Sequence, residues 1–311
     1  MQAKSFTSRH LEKVSFLYNI IKFRWQYLMI LPGIIFLILF NYIPIIGLQI
    51  AFKDFQIGTT IWTCPWVGLD NFSFLSDPEF WRVVKNTLAI TSLKFVFNFF
   101  APIIFALLLN EVTTVWFKRT IQTISYLPHF ISWIVIAYLI EAFLAPDALV
   151  NQVIWALNGK QIYFMGEPSW FRPIIVVSSV WKEVGWGSII YLAAISSIDT
   201  EMYEAAYLEG AGKWAQLRFI TLPCLMPTIV LLLILNMPSL LNAGFDQIYP
   251  LMNGANMIVS DVLDTYVLRT GLQQGYFSQA AAVGMLSSII SYILIFTTNS
   301  LAKALNGEGL W

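Results

Sequence analysis

Six apolar stretches, each near the length a helix needs to cross a bilayer, dominate this chain of 311 residues. They cover 27–50, 86–109, 121–144, 173–195, 227–241 with its flanks, and 280–301. A hydrocarbon layer about 30 Å thick takes about 20 residues of helix, because backbone groups inside lipid must be satisfied within the segment. The fourth stretch carries Lys182 and Glu183 and the fifth contains Pro238, which blurs their ends. Hydrophobic residues make up 58% of the chain and charged residues 12%, with a mean hydropathy of +0.68. That is about half the charge of a soluble domain. So little polar surface excludes a soluble enzyme, a disordered chain and a secreted disulfide scaffold. Eighteen basic and 18 acidic residues cancel, so the charge footprint of a nucleic-acid binder is missing. Two cysteines and two histidines leave little for a metal site, and none is assigned. The expected fold is an all-α membrane protein with six transmembrane helices.

Basic residues set the orientation. With the N-terminus inside, ten Lys/Arg fall on cytoplasmic segments: Lys4, Arg9, Lys13, Lys22, Arg24, Lys118, Arg119, Lys213, Arg218 and Lys303. The outside loops hold six: Lys53, Arg82, Lys85, Lys160, Arg172 and Arg269. This positive-inside bias predicts that both termini are cytoplasmic. The expected organisation is a cytoplasmic tail (1–26), a first span (27–50) and an external loop (51–85). A core of five further spans follows (86–302), with a cytoplasmic loop at 196–223 between helices 4 and 5, and then a short cytoplasmic tail (303–311). The first span lacks a cleavage site and is expected to be permanent. Cys64 and Cys224 are expected on opposite faces of the membrane, which leaves no intramolecular disulfide.

Asp77-Pro78-Glu79 reads as a helix start: a cap, a proline at the first helical position and an acid in the first turn. Trp62, Trp66, Trp81 and Trp170 suit either an interfacial aromatic belt or ligand contact. Asp199 can cap a helix whose first turn carries Glu201. In that helix Tyr203, Ala206, Tyr207 and Gly210 share a face, and Gly210 is placed to end or turn it. A second short helix can run through Trp214, Leu217 and Phe219. Gly210-Ala211-Gly212-Lys213 is not a phosphate loop, because that motif needs a glycine and a Ser/Thr where Tyr207 and Trp214 stand.

The order Glu204-Ala205-Ala206, then Gly210, then Ile220, Leu222 and Pro223 resembles the EAA motif of binding-protein-dependent ABC importer permeases. Other stretches resemble the LplB-type oligosaccharide and polysaccharide permeases of the maltose-type sugar permease family. They include Leu31-Pro32-Gly33, Ala51-Phe52-Lys53-Asp54-Phe55, Gly68-Leu69-Asp70-Asn71-Phe72, Asn86-Thr87, Leu109-Asn110-Glu111, the run Tyr126 to Trp133, and Gly244-Phe245-Asp246-Gln247. The resemblance implies a pair of permeases, this chain and a second EAA-bearing one, on two cytoplasmic ABC ATPase subunits. It also implies an external solute-binding lipoprotein that delivers sugar. Glu204, Ala205, Ala206, Gly210, Ile220, Leu222 and Pro223 would form the ATPase-coupling segment. ATP and Mg would be bound by the ATPase subunits, with no cofactor in this chain.

A sugar path needs polar groups and aromatic faces turned away from lipid. Asn236, Ser239 and Asn242 lie three residues apart, followed by Asp246, and predict a polar stripe. Asn242 is also similar in position to the sugar-contacting helix of the family. Trp181, Glu183 and Trp186 form a second cluster, an acid bracketed by indoles. Both clusters also admit a structural role, as interhelical hydrogen bonds or as local neutralisation of Glu183 by Lys182. Lys94, Asn98 and Glu141 are further intramembrane polar groups, expected to pair or to reach an interface. Lys94, Glu141, Lys182 and Glu183 also leave open a secondary transporter driven by an ion gradient. His129 is expected to be a packing residue without chemistry.

Overall fold

The computed structural model describes residue 18 and residues 21–306, except for the side chains of residues 158, 238, 239, 298, 301, 302 and 304–306. The predicted tail cations Lys4, Arg9 and Lys13 lie outside the described residues. Helices account for every regular element among the described residues, and one isolated bridge joins Lys53 to Trp66. The chain forms two compact units, Met1–Asn71 and Phe72–Trp311.

In the first unit, α1 (Arg24–Leu37) runs into a π turn (Ile38–Tyr42) and then a 3-10 stretch (Ile43–Phe52). Pro44 lacks an N–H, so the regular ladder cannot continue through it and the backbone shifts its hydrogen-bond register. No residue of α1 is buried, as expected of a helix apolar on every side. The loop after it is tied back by side chains. Asn71 Nδ2 donates to the carbonyls of Ala51 (3.0 Å) and Lys53 (2.9 Å). Lys53 Nζ donates to Ile61 O at 2.6 Å and lies 4.8 Å from the Trp66 ring centre.

The second unit begins with α2 (Pro78–Glu111), where Asp77 accepts from the Glu79 N–H at 2.8 Å, as the cap reading predicts. Helix α2, which contains the expected span at 86–109, thus begins within the stretch 51–85, where the sequence places a helix start. Next come α3 (Val115–Tyr126), α4 (Trp133–Leu144), α5 (Leu149–Asn158) and α6 (Pro168–Ser196). The stretch at 121–144, expected to be one helix, is interrupted. A 3-10 turn covers Leu127–Phe130, Ile131 is extended, and Ser132 caps α4 by accepting from the Val135 N–H at 3.4 Å. Pro128 causes the break, since it has no N–H to donate and disfavours helix in the residue before it.

Short α7 (Thr200–Leu208) and α8 (Lys213–Gln216) lead through a π turn (Leu217–Thr221) into α9 (Leu222–Asn236), which tightens to 3-10 over Met237–Leu241 around Pro238. The chain ends in α10 (Phe245–Leu251), α11 (Met257–Ser260), α12 (Leu263–Leu268) and α13 (Phe277–Asn306). Among the described residues five helical runs are long and apolar enough to cross a membrane: Arg24–Phe52, Pro78–Glu111, Trp133–Leu157, Lys213–Asn236 and Phe277–Thr297. The stretch expected to be the fourth span is helical, as α6, 29 residues long, but with Lys182, Glu183 and its serines it is not among those five.

Helices α2 and α6 form the backbone of the core. One apolar cluster joins Ile90, Ala137, Phe171, Ile175, Ile248 and Val262, and a second joins Ile103, Ala106, Tyr191, Ile195 and Leu225. Helix α3 crosses α6 so closely that a Cβ on Gly185 would sit 2.1 Å from the Ser125 carbonyl oxygen. At one end of α2, buried polar groups fasten the segment before α13. Asn86 Nδ2 donates to the carbonyls of Ile258 and Asp261, Arg172 donates to Asn86 Oδ1, and Arg269 bridges Glu79 (3.0 Å) and the buried Asp261 (2.7 Å).

Candidate functional site

The segment that carries the EAA order folds as a short capped helix and an elbow. Asp199 accepts from the Glu201 N–H at 2.9 Å and opens α7. At the other end Gly210 takes φ +82°, so the Ala211 N–H reaches back to Ala206 O at 2.9 Å and the Gly210 N–H to Tyr207 O at 3.0 Å. That left-handed turn strains most side-chain-bearing residues. Tyr203 faces inward, its hydroxyl 2.9 Å from Thr221 Oγ1, and Ile220 is buried. Glu204, Ala205, Gly210 and Pro223 are exposed, Ala206 and Leu222 half-buried. Tyr207, Leu208, Trp214 and Phe219 are each more than 70% exposed. Lys213 pairs with Glu111 at the end of α2.

The second site is a cavity of about 520 Å³ between α2, α6 and α9. Its wall includes Thr91, Lys94 and Asn98 from α2, Glu183 and Trp186 from α6, Trp133 from α4, Asn236 from α9, and Asn242. Four of the seven predicted pathway residues thus come together: Glu183, Trp186, Asn236 and Asn242. Trp181 does not join them; it lines a separate apolar cavity of about 550 Å³ with Ile136, Phe143 and Trp170. Consecutive residues of a helix point about 100° apart, so Trp181 and Glu183 cannot share a narrow face. Asp246 is exposed and outside the cavity wall, and the Ser239 side chain lies outside the described residues.

Lys182 and Glu183 do not neutralise each other. Lys182 is buried and donates to three carbonyls at the break before α4: Pro128 (3.3 Å), His129 (2.6 Å) and Ile131 (2.7 Å). The Pro128 carbonyl also accepts from the Ile131 N–H at 3.1 Å, and the ammonium gathers all three carbonyls at the break. Glu183 Oε2 instead lies 2.9 Å from His129 Nδ1, and the His129 ring stacks on Trp186 with centres 4.5 Å apart. His129, expected to be a packing residue, is therefore a partner of the cavity wall. Lys94 Nζ donates to Ala243 O (2.9 Å) and Gln247 Oε1 (2.8 Å), and Asn98 Nδ2 to Ser179 Oγ (2.8 Å). Glu141 is exposed. On α12, burial pushes the Asp264 carboxyl above the usual carboxylate range, opposed by the Ala243 N–H and the Lys94 charge. The sequence reading missed the place of Lys94 in the wall. Its signal is the spacing of Thr91, Lys94 and Asn98, three and four residues apart on one face of α2.

A family model described as the binding-protein-dependent transport system inner membrane component matches residues 98–306. The chain belongs to that family. As an inner membrane component it sits in the membrane, in keeping with its five long apolar helices. It is 45% identical to Protein LplB of Bacillus subtilis over 290 residues, 93% of this chain and 91% of that one. It is 42% identical over 297 residues to the polygalacturonan/rhamnogalacturonan transport system permease protein YteP of the same organism, 95% of this chain and 92% of that one. A crystal structure of a bacterial ABC transporter involved in the import of the acidic polysaccharide alginate contains a chain that matches with TM-score 0.88 at 37% identity, over 94% of this chain and 99% of that one. The transporter is also known with an alginate pentasaccharide-bound periplasmic protein, and there the match has TM-score 0.87. These relatives are transport permeases rather than enzymes.

Proposed function

We propose that this chain is one of two permease subunits of an ATP-driven importer of oligosaccharides or polysaccharide fragments. In this reading α6 is the fourth span, which brings the total to six, and both termini are cytoplasmic. The loop at 196–223 meets a cytoplasmic ATPase that binds ATP and Mg, and an external solute-binding lipoprotein supplies the sugar. The observation that carries the reading is the loop itself. A capped helix and elbow in EAA order leave Tyr207, Leu208, Trp214 and Phe219 uncovered, although the same chain buries Ile220 and ties Tyr203 to Thr221. Exposed apolar groups this large mark a contact surface. Closure of a nucleotide-driven partner against this lever would move α6 and α9, which flank it in sequence and both line the cavity. The cavity, with Glu183, Trp186, Asn236 and Asn242, is the proposed sugar path, since indole faces and carboxamides suit pyranose rings and their hydroxyls. Trp181 and Asp246 face elsewhere and drop out of it.

The test is Gly210→Asp in the reconstituted complex. A Cβ there meets open space, and Asp tolerates the left-handed region better than most residues, so the fold should survive. ATP-dependent uptake and substrate-stimulated hydrolysis are expected to fall by tenfold or more, a loss of about 1.4 kcal/mol in coupling or greater. Unchanged rates would remove the coupling role. Uptake that ignored ATP and followed an imposed proton or sodium gradient would replace the importer with a secondary transporter.

A further inference from the structure

The charges at the cavity wall are not equally satisfied, and the imbalance points to a class of cargo. A lysine this far inside an apolar helix is costly unless it faces protein or a polar chamber. Lys94 meets that condition: its side chain belongs to the cavity wall, on a helix whose neighbouring wall residues are Thr91 and Asn98. Its two hydrogen bonds go to neutral acceptors, Ala243 O and Gln247 Oε1. Among the described residues no carboxylate forms a salt bridge with it. Glu183 and Asp264 are the acids whose charges it feels at longer range. Glu183, the acid in the same wall, is already engaged with His129, whose ring is held by stacking on Trp186. The cavity's acid has a partner and its base does not.

An ammonium has three donors, and two are used. The third, with a full charge behind it, is matched best by an anionic oxygen, because charge-assisted hydrogen bonds are roughly twice as strong as neutral ones. The rest of the wall supplies what a saccharide needs, with Trp186, Asn236 and Asn242 all exposed in the chamber. We propose that Lys94 is a specificity-determining residue that reads a sugar carboxylate, so the cargo class is an oligosaccharide bearing uronic acid residues. This rests on the importer reading and adds the chemistry of the cargo to it. Gln247 holds the ammonium in place from the other side; its own Nε2 donates to Ile175 O (2.7 Å) and Ser178 Oγ (3.0 Å), so the anchor cannot swing away.

The experiment compares uptake into proteoliposomes by the full complex, with its own binding protein and ATPases, of tri-uronates of galacturonic and mannuronic acid and of their carboxyl-reduced counterparts. The wild-type complex should import at least one uronate with a KM at least about tenfold below that of its reduced form, the effect expected for one charge-assisted hydrogen bond. Lys94→Gln, which keeps hydrogen bonding and loses the charge, should cut that ratio about tenfold, and Lys94→Arg should largely keep it. Should Lys94→Gln fail to fold, Asn242→Asp places a negative charge on the same wall and should lower the ratio in the same direction. A ratio unchanged in all variants overturns the assignment, as does a wild-type complex that takes up only neutral chains in the presence of ATP. ATP-independent uptake, or none of any saccharide, brings down the importer reading itself.

Discussion

The chamber between α2, α6 and α9 and the loop at 199–223 treat their side chains in opposite ways. Around the chamber the charged groups that the helices carry inward are anchored by the chain's own atoms, Lys182 by three carbonyls and Glu183 by His129, while Lys94 is held by Ala243 and Gln247 with one donor to spare. In the loop the largest side chains, Trp214, Phe219 and Tyr207, stay more than 70% exposed. Low dielectric makes an unmet polar group expensive, whereas an exposed indole on the water side costs little. The chamber's charges are thus anchored within the chain, whereas the loop leaves its largest side chains open. Substitutions of the groups that anchor the chamber, Lys182 and Gly185 among them, should act on folding, and those in the loop on coupling.

The sharpest way to break this contrast is Lys182→Met. It removes the donor that gathers three carbonyls at the helix break, and should lower stability by about 3 kcal/mol, read as loss of folded, monodisperse protein in detergent. Normal thermal unfolding would show that the break holds itself. Next comes Gly185→Val, which forces α3 away from α6 because its Cβ would meet backbone at Ser125. A loss of about 2 kcal/mol is expected, measured as a lower unfolding temperature at equal expression. Asp264→Asn should be smaller and of opposite sign. The raised native carboxyl binds its proton more readily than the unfolded chain does. Its contribution to stability is therefore full below about pH 4 and is lost as pH rises through the elevated folded value. The amide should raise the unfolding temperature at neutral pH and leave it unchanged near pH 4, and a gain of the same size at both would place the effect elsewhere. Smallest is Lys213→Ala, which opens an exposed pair with Glu111. No measurable change in unfolding temperature is expected, and a clear drop would mean the loop is stabilised from within after all.

Local signals were legible where a residue acts on its own backbone. Asp77-Pro78-Glu79 and Asp199 start helices as read, and Gly210 ends one, because caps and left-handed turns depend on neighbours within four residues. The broken third stretch was also written in the chain, since Pro128 followed by Ser132 spells a stop and a new cap. Hydropathy alone ran across it, as both sides are apolar. What no single sequence shows is pairing across 54 positions: His129 with Glu183 depends on how α6 lies against the break. Adjacent acid and base on α6 suggested mutual neutralisation, but neighbours on a helix point apart, and each found a different partner.

That arrangement has a mechanical consequence. Lys182 and Glu183 grip two sides of one interruption, the first through main-chain oxygens and the second through an imidazole, so α6 cannot slide or twist past the Leu127–Ile131 segment without breaking both grips together. Any cycle that opens this subunit to one side and then the other must carry the two pieces as a single block, or spend the release of a lysine to part them.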